Sequence, residues 1–175
     1  AAPVELPATR PPLPTAPKLL LFSPHPDDES ITGALPLRLA RERGVRVMNV
    51  AVTLGSNVAR REGRLAELQN ACRYLGFELR VSRPGGLEKI SLKGRSEAPG
   101  NWAAAVEVIA QVLREERPQA VLFPHDRDWN STHIGTHHLV REALAAAALD
   151  PAPLTIESEF WAPMESPNFM VESSP

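Results

Sequence analysis

The chain has 175 residues, with 19 Lys plus Arg against 21 Asp plus Glu and a net charge of -2. That length suits one domain with a real core, and the near-neutral balance lacks the basic field that nucleic-acid binding needs. One cysteine, Cys72, excludes an internal disulfide framework and a Cys-rich zinc knuckle, and no apolar run reaches the roughly 18 to 20 residues of a membrane span.

Six of the 18 prolines lie between Pro3 and Pro17. Proline removes backbone donors and fixes φ, so residues 1–17 read as an extended arm that cannot enter a sheet or helix interior. The arm has neither a basic n-region nor an apolar h-region, so it is not an intact signal peptide. The chain is expected in the cytoplasm, with a secreted mature form left open.

From residue 18 onward the pattern alternates. The run KLLLFS over 18–23 predicts a strand buried on both faces. Residues 28–43 read as a helix that stops at Gly44 and is kinked or divided at Pro36. Residues 45–53 predict a second strand, 59–75 a helix closing on Gly76, and 77–82 a weaker strand. Residues 83–100 carry glycines and no clear period, so they read as a long loop. A helix is expected over 102–117, stopped by Pro118, then a buried-type strand over 119–124. An Ala-rich helix over 133–149 and a last strand over 154–160 complete the order. Strands alternating with helices imply an α/β fold: one doubly wound, mostly parallel sheet with helices on both faces, Rossmann-like. Ligands in such sheets sit beyond the C-terminal strand ends.

Two such ends carry unusual chemistry. Strand one is followed by His25-Pro26-Asp27-Asp28-Glu29. The 119–124 strand is followed by a stretch holding the other four histidines, among them His125, His133 and His137. If the two strands are neighbours, these loops meet over one crevice. His25 and Asp28 supply an imidazole and a carboxylate across a Pro-stiffened turn, and one more imidazole completes a two-histidine, one-carboxylate metal site with positions left open. Asp27, pointing elsewhere, could serve as a base. The competing reading makes Asp27 and Asp28 N-cap and first-turn acids, with His25 an ordinary loop residue. His133 and His137, spaced i,i+4 at a helix start, face one way, but no His-Glu-x-x-His occurs. His138 lies about 100° around the helix and is expected to pack or face solvent. Asp126 could orient His125.

These residues resemble the LmbE-like, or PIG-L, family of zinc-dependent de-N-acetylases. The resemblance runs from about Lys18 to Leu149. It rests on His25-Pro26-Asp27-Asp28-Glu29, on Val52-Thr53-Leu54-Gly55 at the end of strand two, on Arg64-x-x-Glu67 with Leu75-Gly76, and on Phe123-Pro124-His125-Asp126 with His133. It implies His25, Asp28 and His133 as zinc ligands, Asp27 as general base, and Arg64 near the site holding Asp27 or the substrate. Glu29 would serve the helix start. The family often has His-Pro-Asp-His where this chain has Asn130-Ser131-Thr132-His133. The assisting histidine is therefore Asn130, which could donate a neutral hydrogen bond, or His125 or His137 could substitute for it.

The implied activity is removal of an N-acetyl group from a small molecule, typically an N-acetylglucosamine-type sugar, by water activated at the metal. Two other readings stay open. A hydrolase of a different small amide, or an iron enzyme, could use the same set, since two histidines and a carboxylate also suit Fe2+. An inactive metal-binding member of the fold could have lost Asn130's usual counterpart. The implied partner is a small-molecule substrate, without nucleic acid or a membrane span, and a homo-oligomer is left open. The organisation expected is an arm over 1–17, a deacetylase domain over 18–161 and an irregular tail over 162–175, with truncation of the chain also left open.

Overall fold

A computed structural model describes residues 13–32 and 34–172. Most of the expected proline arm, residues 1–12, lies outside the described residues, as do residues 173–175 of the tail. Before the first strand, Ala16 N–H donates to the Leu13 carbonyl (2.9 Å) and Arg46 N–H to the Pro17 carbonyl (2.8 Å), which ties the approach to β1 to the start of the neighbouring strand.

Five strands form one parallel sheet in the order β3-β2-β1-β4-β5. They are β1 (Lys18–Ser23), β2 (Arg46–Ala51), β3 (Glu78–Val81), β4 (Ala120–Pro124) and β5 (Leu154–Ser158). The order reverses between β1 and β4, which pair as Leu19↔Ala120, Leu20↔Val121 and Leu21↔Leu122. The two loops that carry the candidate residues therefore open side by side at the switch point of the sheet.

Alternation along β1 explains the two faces. Leu20 and Phe22 join one core with Ile109, Leu113, Leu139 and Val140, from α5 (Pro99–Glu116) and α6 (Ser131–Ala147). Leu19 and Leu21 join the other with Leu68 and Cys72, from α3 (Arg61–Leu75). All four β1 side chains are at most 1% exposed, and each such burial contributes roughly 1.5–3 kcal/mol. Helices on both faces make the sheet doubly wound, as the alternation of elements predicts.

The helix over 28–43 is divided, as its proline predicts, into α1 (Asp28–Ile31) and α2 (Ala34–Arg43), though not at Pro36 itself, and two further elements differ from the sequence reading. The break falls around Thr32, four residues before Pro36, because the proline ring clashes with that carbonyl and has no N–H to offer it. The loop expected over 83–100 contains α4 (Leu92–Glu97), capped by Ser91 Oγ, which accepts from Gly94 N (3.0 Å). Helix α5 begins at Pro99 rather than Trp102, with proline in the first turn, where its missing N–H costs nothing. The loop is thus 83–91, and it packs closely on α6: a Cβ on Gly135 would stand 2.6 Å from the Ile90 carbonyl. Among the described residues no helix is long and apolar enough to cross a membrane.

Candidate metal centre

Short-range hydrogen bonds shape the turn after β1. Asp27 occupies the N-cap position of α1 at φ 103°, a left-handed conformation, and its side chain makes no capping hydrogen bond. Instead Glu29 reaches back, its Oε2 accepting from Asp27 N (2.9 Å). Glu29 is buried, and burial pushes its carboxyl above the usual range. It thus serves the helix start, and the Asp27 carboxylate is released from that duty and turned outward. The next acid points inward: Asp28 Oδ2 accepts from His25 N (2.8 Å) and lies 3.3 Å from His25 Nδ1.

The end of β2 braces this loop. Thr53 Oγ1 donates to the Pro24 carbonyl (2.7 Å) and accepts from Gly55 N (3.2 Å). Gly55 has φ 83°, and a Cβ there would stand 2.7 Å from Arg64 Nη1. Glycine therefore leaves the passage through which Arg64 extends from α3. Arg64 Nη2 ends 3.5 Å from Asp27 Oδ2 and 3.5 Å from the Pro26 carbonyl.

The loop after β4 supplies the remaining imidazole. Asn130 caps α6, its Oδ1 accepting from Thr132 N (2.8 Å), and this starts the helix two residues before His133. His133 is fully buried, with Nε2 3.3 Å from Asp28 Oδ2 and 3.3 Å from His25 Nδ1. One ligand atom from each of His25, Asp28 and His133 lies within 4.8 Å of the others.

This group fits a cation. Asp28 Oδ1 is buried with no hydrogen-bond partner among the described residues, a costly state for an anionic oxygen that nothing meets. Burial pulls the Asp28 carboxyl up, but the hydrogen bonds of His133 and His25 outweigh it and hold the group below the usual range. Burial opposes protonation of His133, yet Asp28 and Asp128 outweigh it and raise its pKa. Two imidazoles and a carboxylate converging on one point form the donor set of a zinc or ferrous site. Asp27 stands beside this set with a side chain 70% exposed. Enough protein surrounds its carboxylate to strip part of its hydration, and this, with the Asp28 charge, raises its pKa against the pull of Arg64.

Two further candidates lie elsewhere. His125 Nδ1 accepts from Arg127 N (3.3 Å), which leaves Nε2 to donate to the Ala162 carbonyl (3.0 Å). Both ring nitrogens are thereby spent on backbone, and Asp126 is exposed and takes no part. His137 Nδ1 donates to the Pro124 carbonyl (3.0 Å), with its ring packed between Phe123 and His138. Neither histidine joins the cluster.

The structure also assembles a residue to which the sequence reading gave no task. Asp128 is 3% exposed and lies against His133, with Oδ1 3.2 Å from Nδ1. Phe160 and Trp161 complete the surroundings, their rings edge-on to His133 at 5.6 and 5.3 Å between centroids. The only local sign is an acid five residues ahead of a histidine, which is too common to single out.

A relative from Thermobifida fusca (strain YX), a 1D-myo-inositol 2-acetamido-2-deoxy-alpha-D-glucopyranoside deacetylase, is 34% identical over 164 residues, covering 77% of this chain and 56% of the relative. The chain spans 54–58% of the length of the first three such relatives. A conserved protein from Thermus thermophilus superposes with a TM-score of 0.65 at 26% identity, over 89% of this chain and 71% of that one. The N,N'-diacetylchitobiose deacetylase of Pyrococcus horikoshii superposes with a TM-score of 0.57 over 83% of this chain and 55% of its own, and at 22% identity it speaks to the fold alone. Residues 20–144, which run from β1 into α6 and include all three members of the cluster, match the family described as PIG-L, GlcNAc-PI de-N-acetylase, and the chain belongs to that family.

Proposed function

We propose that this chain is a metal-dependent de-N-acetylase of a small N-acetylated amino-sugar derivative, with residues 18–161 as the catalytic unit. The observation that carries the reading is the convergence of His25, Asp28 and His133 beside an outward-facing Asp27. The T. fusca relative, named for a 2-acetamido-2-deoxy-glucopyranoside substrate, supports the sugar.

His25, Asp28 and His133 would hold the metal, zinc by preference of the donor set and Fe2+ as the alternative. When bound, such a metal supplies Lewis acidity to an amide carbonyl and lowers the pKa of water. Asp27 takes a proton from the attacking water and returns it to the leaving amine; its raised pKa moves it toward the range of a working base. Arg64 keeps Asp27 ionised and directed at the crevice. Asn130 has committed its amide oxygen to the α6 cap, so its NH2 group is the end that can donate to a developing oxyanion, a role whose loss costs roughly 3 kcal/mol. Acetate and a free amine result.

The test is to load the chain with zinc, incubate it with N-acetylglucosamine glycosides and with acetyl-lysine peptides, and measure free amine. Release from the glycosides is expected. Release from peptides alone would overturn the substrate class, and zinc binding without release from either would favour an inactive member of the fold, which the replacement of the assisting histidine by Asn130 also suggests.

A further inference from the structure

Asp128 takes no part in the chemistry proposed above, yet it is among the most fully engaged side chains at the strand ends. Oδ1 accepts from Asn130 N (2.9 Å) and lies 3.2 Å from His133 Nδ1. Oδ2 accepts from Trp161 N (2.9 Å) and from Ala162 N (3.4 Å). One carboxylate thus joins three segments: the cap of α6, the buried imidazole, and the chain beyond β5.

The two nitrogens of His133 face different surroundings. Nε2 looks toward Asp28 Oδ2 and His25 Nδ1, each 3.3 Å away. Nδ1 looks toward Asp128, a contact short in distance though not aligned as a hydrogen bond. A neutral imidazole carries one ring proton, and an ionised carboxylate can only accept. Each ring nitrogen faces a carboxylate, Asp28 at Nε2 and Asp128 at Nδ1. Once a cation takes the Nε2 lone pair, the ring proton must sit on Nδ1, where the Asp128 charge 3.2 Å away stabilises it. The rings of Phe160 and Trp161 limit how far His133 can turn from this arrangement.

We infer that Asp128 is a positioning residue for His133: it fixes the tautomer that presents Nε2 to the cluster, and it ties that imidazole to the Trp161–Ala162 backbone. The inference rests on the metal reading proposed above. A carboxylate behind a metal-binding histidine typically matters by about 10- to 100-fold in metal affinity. An acid that only latched the chain together would matter to folding and not to affinity.

Zinc affinity, measured by competition with a chromophoric chelator, separates these roles in Asp128→Asn, which keeps the shape and one of the two backbone-accepting oxygens and removes the charge at Nδ1. The expected result is a drop of about 10- to 100-fold in the folded variant, with a changed visible spectrum when cobalt(II) replaces zinc. Affinity within twofold of the parent, whatever the melting temperature of the metal-free variant, would overturn the inference. The second measurement needs no variant: histidine ¹⁵N shifts of the zinc-loaded parent should report His133 bound through Nε2 with its proton on Nδ1, and binding through Nδ1 would overturn the inference. His133→Ala distinguishes the two levels. If that variant binds zinc as tightly as the parent, the metal reading fails and this inference with it; if it loses zinc while Asp128→Asn does not, only the positioning role fails.

Discussion

The loops after β1 and β4 end neighbouring strands and face one crevice, but they are held by different means. In the first, the hydrogen bonds within the turn span three residues or fewer, Asp28 with His25 and Glu29 with Asp27, and the longer braces come from the core elements beside it, Thr53 at the end of β2 and Arg64 of α3. In the second, His125 is tied to Ala162 across 37 positions and Asp128 to Trp161 across 33. The first loop shapes its own turn, at the expense of a strained backbone at Asp27. The second borrows its geometry from the irregular segment after β5. A metal site assembled from both needs the chain on either side of it.

The largest expected effects come from separating the two acids of the first loop. Asp27→Asn keeps the size of the side chain and removes the proposed base. Turnover on the sugar substrate should fall by about 10²- to 10⁴-fold, with zinc affinity near that of the parent. Asp28→Ala should do the reverse and forfeit zinc, since Asp28 is the member that both imidazoles approach. Zinc content by atomic absorption beside single-turnover kinetics reads both. An Asp27→Asn protein stripped of zinc beside an Asp28→Ala protein that keeps it would exchange the two roles.

This contrast also decides what the sequence could reveal. His25, Asp27 and Asp28 were legible because a strand, a Pro-stiffened turn and a helix start present them within a few residues, and the spacing itself carries the chemistry. His133 was singled out from the other histidines after the same strand only by the family resemblance. Asp128 was not, because its partners at Trp161 and Ala162 are distant in the chain and adjacent only once β5 has paired with β4. The same blindness made His125 and His137 into candidates: their residue type suggested ligands, while the carbonyls of Ala162 and Pro124 that occupy them are visible only in the fold. Among the elements, the parallel sheet and its switch point followed from apolar runs and helix stops. Helix α4 was missed because the glycines at 85, 86 and 94 outweighed the Ser91 cap, and α5 was begun late despite Pro99.

The second loop can be probed through its long tether. His125→Ala removes a buried ring, leaves the Ala162 carbonyl without its donor, and opens a cavity beside β4. A loss of about 2–4 kcal/mol is expected, from a cavity and an orphaned acceptor together. Urea unfolding of the metal-free protein measures it. His25→Ala serves as the comparison: that ring is 20% exposed and faces other polar groups of the cluster, so its removal should cost clearly less. Equal losses at the two positions would contradict the division between a locally held loop and a tethered one.

The smallest effect tests the strain in the first loop. Asp27 adopts φ 103° with a Cβ, a conformation that disfavours L-residues by roughly 1–2 kcal/mol. The N–H is satisfied by Glu29, and among the described residues the carboxylate pairs only with Arg64, at 3.5 Å. Asp27→Gly and Asp27→Ala both delete the carboxylate and both should abolish most turnover, but they differ in the Cβ. Glycine relieves the strain and gives back about 0.4–1 kcal/mol through the greater freedom of the unfolded chain. The glycine variant should therefore exceed the alanine variant by about 0.5–1 kcal/mol in metal-free unfolding. If alanine proves equal or more stable, the backbone at Asp27 is not strained, and the outward turn of its carboxylate needs another cause. If glycine leads as expected, the position holds aspartate at a cost in stability, in keeping with the proposed use of its carboxylate as a base.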